Sequence, residues 1–268
     1  MSSTSASPPA DPAPGQLLLP DWPAPPGVHG FVTLRGGGAS LGDFGRAGGL
    51  PGGWNLGGHC GDDPGDVARN RAALRGLLPG DPCWLDQVHG TAVFDADADT
   101  PRGERAPQAD AAVTARPGTV VAVLTADCLP VLLSNESGSV VGVAHAGWRG
   151  LAQGVLERTV DALGRRTGDH RWIAWLGPAI GPCCFEVGDE VREAFAGRDP
   201  AAALAFAAGA RPGKWQADLY ALARLRLAGS GVRSIHGGDA CTACDAERFY
   251  SYRRDRVTGR MASVAWHA

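Results

Sequence analysis

The sequence, 268 residues long, predicts an α+β fold, a single domain with mixed β-sheets and flanking helices. Two observations lead to this fold class. Runs typical of strands outnumber runs typical of helices, and the two kinds do not alternate regularly, as they would in a doubly wound parallel fold. Beyond residue 16, neither an internal repeat nor a second break in composition divides the chain, so we expect residues 17–268 to form one domain.

The N-terminal segment, residues 1–16, is rich in Ser, Pro and Ala, and we predict that it is a disordered tail. It lacks the basic start and apolar centre of a signal peptide, and no run approaches the roughly 18 apolar residues of a membrane helix. The seven cysteines are odd in number and lack framework spacing, which favours reduced thiols or ligands over disulfides. We therefore expect a cytoplasmic protein without a membrane partner. The net charge of −3 argues against a nucleic-acid partner.

The first predicted strand covers residues 30–35 and leads into a glycine-rich segment, residues 36–63. This segment is far longer than an ordinary connection, and long loops inside compact domains are usually functional or disordered. Apolar residues then recur at helical spacing, which predicts a helix over residues 64–78. Asp62 or Asp63 would cap that helix, since aspartate is a favoured capping residue. Pro64, in the first turn, also indicates that a helix begins there.

Strands and helices follow without regular alternation. Strands are predicted at residues 83–88, 111–114, 119–125, 130–134, 140–144 and 172–176. Helices are predicted at residues 151–163, 187–195 and 219–228. The C-terminal run, residues 249–266, is predicted to be a hairpin with its turn near residues 255–259.

Three side chains able to bind soft metals stand where apolar runs meet loops: His89, Cys128 and His145. Ends of strands in one sheet can converge, so we expect the three to lie close together. Imidazole and thiolate suit zinc or copper, and three ligands leave a fourth position for water or substrate, as in catalytic zinc sites. A cysteine in the core, or a histidine bonded to a backbone carbonyl, would explain any one of them alone. Their spacing leaves both interpretations open.

One aspartate and four further cysteines are also candidates for a functional or structural role. Asp127, beside Cys128, could act as a general base or orient a metal ligand. Cys241 and Cys244 have the spacing of a redox pair or of half a zinc ribbon, but their only possible partners, Cys183 and Cys184, are adjacent in sequence. Adjacent cysteines make awkward tetrahedral ligands, so we interpret the Cys241–Cys244 pair as structural, and the sequence leaves open whether the four cysteines do more than pack.

Six blocks of sequence resemble the signature of the YfiH family, once named laccase-like or polyphenol oxidoreductase and since reassigned to purine nucleoside phosphorolysis. The blocks are QVHG, TADCLPVL, AHAGWRG, GPAIGPCCFEVG, CT with FYSYRR, and TGRMA. They occur in the family's order between about Gly30 and Trp266. The resemblance implies a YfiH-like fold, similar to that of a toxin-type cysteine hydrolase. It also implies a zinc ion held by His89, Cys128 and His145.

The resemblance further implies an enzyme that splits adenosine, inosine, guanosine or 5′-methylthioadenosine with phosphate and also deaminates adenosine. Phosphorolysis needs cationic or N–H donors around phosphate, and we expect Arg149 and Arg71 to supply them, although a surface salt bridge is the ordinary role of an arginine. We expect Asn55 and Gln87 to contact substrate. The chain departs from the family between Ser40 and Asn55, where an extended loop leaves residue roles open.

Three other functions stay open at the level of sequence. Cys128 and His145 could form the nucleophile and base of an amidase that edits peptidoglycan precursors, with Gln87 helping to hold an oxyanion. The same ligands could bind copper in a phenol oxidase, although a multicopper centre needs more clustered histidines. A zinc-stabilised binding module is a further interpretation, but in structural zinc sites protein ligands fill all four coordination positions.

Overall fold

The computed structural model describes residues 16–98 and 106–268. The predicted disordered tail lies outside the described residues, except for Gln16. The strands, in chain order, are β1 (Leu17–Leu18), β2 (Val28–Thr33), β3 (Gly36–Ser40), β4 (Pro82–Cys83), β5 (Val93–Asp95), β6 (Ala111–Thr114), β7 (Val120–Thr125), β8 (Leu129–Asn135), β9 (Val141–Ala146), β10 (Trp172–Leu176), β11 (Glu186–Gly188), β12 (Phe206–Ala208), β13 (Lys214–Ala217), β14 (Ser234–Gly237) and β15 (Met261–His267). The α-helices are α1 (Pro64–Arg75), α2 (Trp148–Gln153), α3 (Val155–Gly164), α4 (Asp189–Ala196), α5 (Leu219–Gly229) and α6 (Tyr252–Asp255).

The strands form two large mixed sheets and one small one. The five-stranded sheet has the order β1-β2-β15-β7-β4, in which only β4 runs parallel to its neighbour. The six-stranded sheet has the order β14-β10-β8-β9-β6-β5, with parallel pairs at both of its edges. A three-stranded antiparallel sheet, β11-β13-β12, lies apart from these. This architecture agrees with the predicted mixed sheets and flanking helices.

The two large sheets face each other across the core. Along β7, Val121 and Val123 pack with residues of the six-stranded sheet, whereas Val120 and Ala122 pack in a second cluster with α1. This alternation is the two-residue period of a strand, and it covers both faces of the sheet. The six-stranded sheet packs its other face against α2, α3, α4 and α5. Strands buried on both sides explain why the sequence shows unbroken apolar runs there.

The glycine-rich segment and the helix after it are ordered. Strand β3 and two short 3₁₀ turns, Gly42–Phe44 and Ala47–Gly49, lie within the segment. Helix α1 begins at Pro64, and the carboxylate of Asp63 accepts the N–H groups of Gly65 and Asp66, so Asp63 is the cap. None of the helices in the described ranges is long and apolar enough to span a membrane.

Three predicted elements differ from the structure. The strand expected at residues 83–88 is only the short β4, because the chain leaves the sheet after Cys83. The helix expected at residues 151–163 is two helices, because Gly154 adopts a φ of 101° that an α-helix cannot contain. The hairpin expected at residues 249–266 is wrong, since α6 replaces its first strand and β15 pairs with β2 and β7 instead.

Candidate metal centre

The candidate metal centre lies where the chain passes from one large sheet to the other. Strand β7 belongs to the five-stranded sheet, and after Ala126, Asp127 and Cys128 the chain enters β8 in the six-stranded sheet. Asp127 has a φ of 86°, in the left-handed region, which lets the chain turn sharply between the sheets. Cys128 is therefore held directly before β8, at the boundary of the two sheets.

Two histidines reach the same place from other elements. His145 lies within β9, opposite Pro130 of β8. His89 lies in the loop between β4 and β5 and also has a positive φ, 60°. The structure thus brings the three predicted ligands together, but not as strand ends of one sheet. Cys128 precedes a strand, and His89 lies beyond the end of the short β4.

The geometry of the three side chains suits a small soft cation. Their ligand atoms all lie within 4.8 Å of one another, and Cys128 Sγ is 3.8 Å from His89 Nε2. Ligands of mixed nitrogen and sulfur around zinc stand roughly 3.3–3.6 Å apart, given Zn–N and Zn–S bonds of about 2.0 and 2.3 Å. His145 is buried, Cys128 is half-buried and His89 is exposed, so the group opens on one side.

A fourth residue, Asp110, organises this group. Its fully buried carboxylate accepts His145 Nδ1 at 2.9 Å and the backbone N–H of His89 at 2.9 Å on one oxygen. Its other oxygen accepts the N–H groups of Gly90 at 2.6 Å and Val88 at 3.3 Å. Consecutive N–H groups around an anion form a concave cradle, which here fixes the loop that carries His89.

Asp110 also determines the protonation of His145. Burial alone would raise the pKa of the Asp110 carboxyl, but bonds from His145 and Gly90 outweigh it and lower the pKa below its usual value. An ionised carboxylate can only accept, so His145 Nδ1 carries a proton and Nε2 faces the other ligands. Sequence reasoning missed Asp110, because its partners lie about 20 and 35 residues away and no spacing marks them.

Charge within the group favours an ionised thiol. Burial alone would raise the pKa of Cys128, but the positive charge and hydrogen bonds of His145 and His89 lower it to about 6. Burial alone would lower the pKa of His145, but the Cys128 thiolate and Asp110 raise it to about 9. A thiolate is both the form that binds metals and the form that attacks electrophiles, so the pair can serve as ligands or as nucleophile and base.

Close packing at Gly147 explains the glycine in the AHAGWRG block. A side-chain Cβ on Gly147 would lie 2.8 Å from His89 Cδ2 and 3.0 Å from Cys128 Sγ. The first separation is shorter than real Cβ contacts and the second is tighter than most of them, so a larger residue would displace His89 and press against Cys128. The absence of a side chain at this position therefore makes room for the site.

The three ligands form part of the wall of a cavity of about 330 Å³. That volume is in the range of small-molecule sites. Residues that the sequence did not indicate also line it, among them His59, Asp86, Tyr252 and Arg260. Thr125 contributes a buried hydroxyl that has no hydrogen-bond partner within the described chain. A buried unpaired hydroxyl is a donor available to a ligand.

Two predicted substrate contacts, Gln87 and Asn55, are held by backbone groups. Gln87 lines the cavity, but its amide donates to Leu124 O at 2.8 Å and accepts Leu124 N at 2.7 Å. Asn55 is fully buried, and its Oδ1 accepts the N–H of Arg260 at 2.8 Å. Gln87 thus anchors the loop of His89 to β7, and Asn55 positions a residue of the cavity wall.

The remaining predicted residues do not line the cavity. Asp127 accepts Thr242 Oγ1 and the N–H of Arg253, each at 2.6 Å, so both of its oxygens are engaged. Arg71 donates to a backbone carbonyl and stacks over a tryptophan ring, and Arg149 is exposed and stacks over Trp148. Geometry therefore favours a positioning role for Asp127.

Fold and site together define an α+β protein with an open site of two imidazoles and one thiolate at the junction of two sheets. Residues 29–268 match the model of the family described as multi-copper polyphenol oxidoreductase laccase. The chain belongs to this family. The resemblance to the YfiH family is confirmed, since relatives bearing that name are similar along nearly the whole chain.

Relatives and solved structures agree with this assignment. Purine nucleoside phosphorylase PA4543 of Pseudomonas aeruginosa is 51% identical over 249 residues, which cover 93% of this chain and 97% of the relative. Purine nucleoside phosphorylase YfiH of Escherichia coli is 49% identical over 253 residues, 94% of this chain and 98% of the relative. The crystal structure of Neisseria meningitidis protein NMB0706 superposes with a TM-score of 0.84 at 44% identity, covering 94% of this chain and 99% of that one. YlmD from Geobacillus stearothermophilus gives a TM-score of 0.80 at 32% identity, covering 91% and 93%. The expected likeness to a toxin-type cysteine hydrolase stays a prediction.

Proposed function

We propose that this protein is a zinc-dependent purine nucleoside phosphorylase that acts on adenosine, inosine, guanosine and 5′-methylthioadenosine and also deaminates adenosine. Relatives that carry the name purine nucleoside phosphorylase cover nearly the whole chain at about half identity. The observation that carries the proposal is the group of His89, Cys128 and His145 in the wall of a cavity of about 330 Å³. An ion there would face a bound small molecule.

The three residues fit zinc. Asp110 occupies His145 Nδ1 and so leaves Nε2 for a cation, and the lowered pKa of Cys128 supplies a thiolate near neutral pH. When bound, zinc supplies Lewis acidity at the cavity wall. Copper would also accept these ligands, but a multicopper centre needs further histidines. In residues 16–98 and 106–268, the other group able to hold an ion consists of cysteines alone.

We propose that nucleoside and phosphate lie against the wall residues that surround the ligands. Tyr252, half exposed at the cavity, offers a face on which a purine can stack. Arg260 donates from Nη1 to the carbonyls of Thr258 and Gly259, and its other N–H groups remain for phosphate. Asp86 offers a carboxylate at the wall for proton exchange. Arg149 and Arg71 remain proposed phosphate ligands that would have to reorient to reach the cavity.

One observation favours a second candidate function. A Cys128 thiolate beside a protonated His145 is also the arrangement of cysteine hydrolases. In an amidase the thiolate would attack a carbonyl carbon and His145 would protonate the departing amine. Such an enzyme would work without metal, and this separates the two functions.

The deciding experiment combines metal analysis with an assay on adenosine. Protein purified without added metal is expected to contain zinc and to convert adenosine and phosphate to adenine and ribose 1-phosphate, with slower release of inosine. Cys128→Ala is expected to abolish both activities and to lose the zinc bound at the cavity. Stoichiometric copper that is lost in Cys128→Ala would support the oxidase instead. A preparation that hydrolyses amides with no metal at His89, Cys128 and His145, but leaves adenosine intact, would support the amidase.

A further inference from the structure

A second cluster of potential ligands lies away from the cavity, in two loops that follow β10 and β14. Cys183 and Cys184 lie in the turn after β10, and Cys241 and Cys244 lie in the loop after β14. Cys183 Sγ is 3.6 Å from Cys241 Sγ and 3.4 Å from Cys244 Sγ, and Cys184 Sγ is 3.3 Å from Cys244 Sγ. All four sulfur atoms lie within 4.8 Å of one another.

Backbone contacts hold the two loops in this arrangement. Ala179 and Cys241 form a parallel β-bridge, and the N–H of Thr242 donates to Ala179 O at 3.0 Å. The N–H of Gly181 points at Cys241 Sγ at 3.2 Å, an interaction that stabilises a thiolate. The sulfur atoms are therefore brought together by ordered backbone rather than by chance contact of mobile side chains.

The separations suit a tetrahedral ion better than a disulfide or core packing. Four thiolates at about 2.3 Å from zinc stand roughly 3.8 Å apart, whereas a disulfide joins sulfur atoms at about 2.05 Å. All four residues are free cysteines, and Cys183 and Cys244 are exposed, which is not the environment of a buried packing residue. Cys241 and Cys244 also have the C-x₂-C spacing of structural zinc sites.

We propose that Cys183, Cys184, Cys241 and Cys244 together bind one structural zinc ion, independently of the cavity site. Four thiolates close the coordination sphere, so this ion has no position for substrate. The sequence-based interpretation of Cys241 and Cys244 as structural then extends to Cys183 and Cys184, with an ion as its physical basis. The turn at Pro182–Cys184 directs both adjacent sulfur atoms toward Cys244, which removes the objection to neighbouring ligands.

The position of this ion gives it a structural task. Thr242 lies between the paired cysteines and donates its hydroxyl to Asp127 at 2.6 Å. Asp127 holds a positive φ and directly precedes Cys128. An ion that fixes the loop of Thr242 would therefore stabilise the sharp turn that positions Cys128.

Metal content of variants tests the proposal in a form that does not depend on the cavity site. The starting protein is the full chain with His89→Ala and Cys128→Ala, which removes two ligands of the cavity site. We expect it to retain one zinc per chain and, with Co²⁺ alone, to show the intense visible absorption of tetrahedral cobalt thiolate. Adding Cys244→Ser should abolish both the zinc content and the cobalt absorption. The matched control is Cys60→Ser, a change in a half-buried cysteine outside either cluster, and it should alter neither measurement.

Equal metal content with and without Cys244→Ser would overturn the proposal, and so would a chain that binds no zinc once the cavity ligands are removed. If a serine variant fails to fold, alkylation of the protein without substitutions tests whether an ion protects the four cysteines. The exposed Cys183 and Cys244 should resist iodoacetamide until a chelator is added. Rapid labelling before chelation, or a disulfide found by non-reducing peptide mapping, would contradict the ion.

Discussion

At the scale of single residues, the site depends on unusual backbone conformations held by buried carboxylates. His89 and Asp127 both have positive φ, which costs a non-glycine residue about 1–3 kcal/mol. Asp110 offsets this at His89 by accepting three consecutive N–H groups, and Asp127 offsets its own with bonds to Thr242 and Arg253. Backbone strain at His89, a candidate ligand, and at Asp127, which directly precedes another, is typical of a functional site.

Asp110→Asn should weaken metal binding at the cavity site. The amide keeps one acceptor but places an N–H₂ group where the carboxylate accepts N–H donors, so His145 loses its fixed tautomer. Partners of this kind typically contribute 10- to 100-fold to metal affinity, and we expect a loss of about that size in competition with a chelator. Asp97→Asn, at the other end of β6 where it accepts from Thr114 and Ala115, is the control. Equal affinities in the two variants would contradict the role of Asp110.

Gly147→Ala should disable the site without unfolding the chain. Its backbone, with φ of −63° and ψ of 154°, is one that alanine adopts freely, so the added methyl group acts only on His89 and Cys128. We expect loss of the cavity-site metal and of adenosine phosphorolysis, with a urea midpoint that matches that of the native protein after removal of its metal. Gly168→Ala, where an added Cβ meets nothing within 4 Å, should leave both unchanged. Full activity in Gly147→Ala would show that the ligands need less room than inferred.

Arg260→Ala should reduce phosphorolysis of adenosine more than its deamination, because phosphate needs a cationic partner and water does not. Arg149→Ala is the matched comparison, since Arg149 is exposed and stacked over Trp148 outside the cavity wall. The measurement is the ratio of adenine to inosine produced at saturating phosphate. A selective loss in Arg149→Ala alone would return the phosphate to the position that the sequence suggested.

At the scale of elements, long buried strands were predictable and short ones were not. Strands β7, β8 and β9 stand out as unbroken apolar runs because both faces are covered. Strands of two or three residues, such as β1 and β5, are too short to show a period. The sequence pattern of β15 resembles half of a hairpin because one of its partners, β2, lies more than 200 residues earlier. The three ligands can be predicted because each is a metal-binding side chain where an apolar run meets a loop, whereas Asp110, His59, Tyr252 and Arg260 lack that combination.

The break between α2 and α3 gives a prediction at this scale. Gly154 has φ of 101° and ψ of 35°, so Gly154→Ala should lower the free energy of unfolding by about 1–3 kcal/mol through backbone strain alone. An added Cβ there would meet nothing closer than Glu157 Oε2 at 3.5 Å, which excludes a steric cause. Gly76→Ala, at a helix end with a φ of −61°, is the control and should be neutral or slightly stabilising. Urea denaturation of both variants gives the comparison, and equal stability would mean that the chain can relax at residue 154.

At the scale of the whole molecule, the cavity site joins the two halves of the core. His145 belongs to the six-stranded sheet, Gln87 ties the loop of His89 to β7 in the five-stranded sheet, and Cys128 lies between them. An ion held by all three side chains would cross-link the sheets around the cavity. Metal bound there should therefore stabilise the whole fold and not only a surface loop.

Chelation gives the corresponding prediction. A ligand present at about 100 times its Kd stabilises the native state by about 2.7 kcal/mol. For a chain of this size each kcal/mol shifts the Tm by roughly 2–4 °C, so removal of the cavity-site metal should lower the Tm by about 5–10 °C. The measurement uses the Cys244→Ser protein, so that the four-cysteine site does not contribute, and the same protein with Cys128→Ala is the control that should not respond to chelator. Hydrogen exchange locates the effect, because a cross-link between sheets predicts that chelation loosens β7, β8 and β9 together, whereas a merely local ion would loosen only the loop around His89.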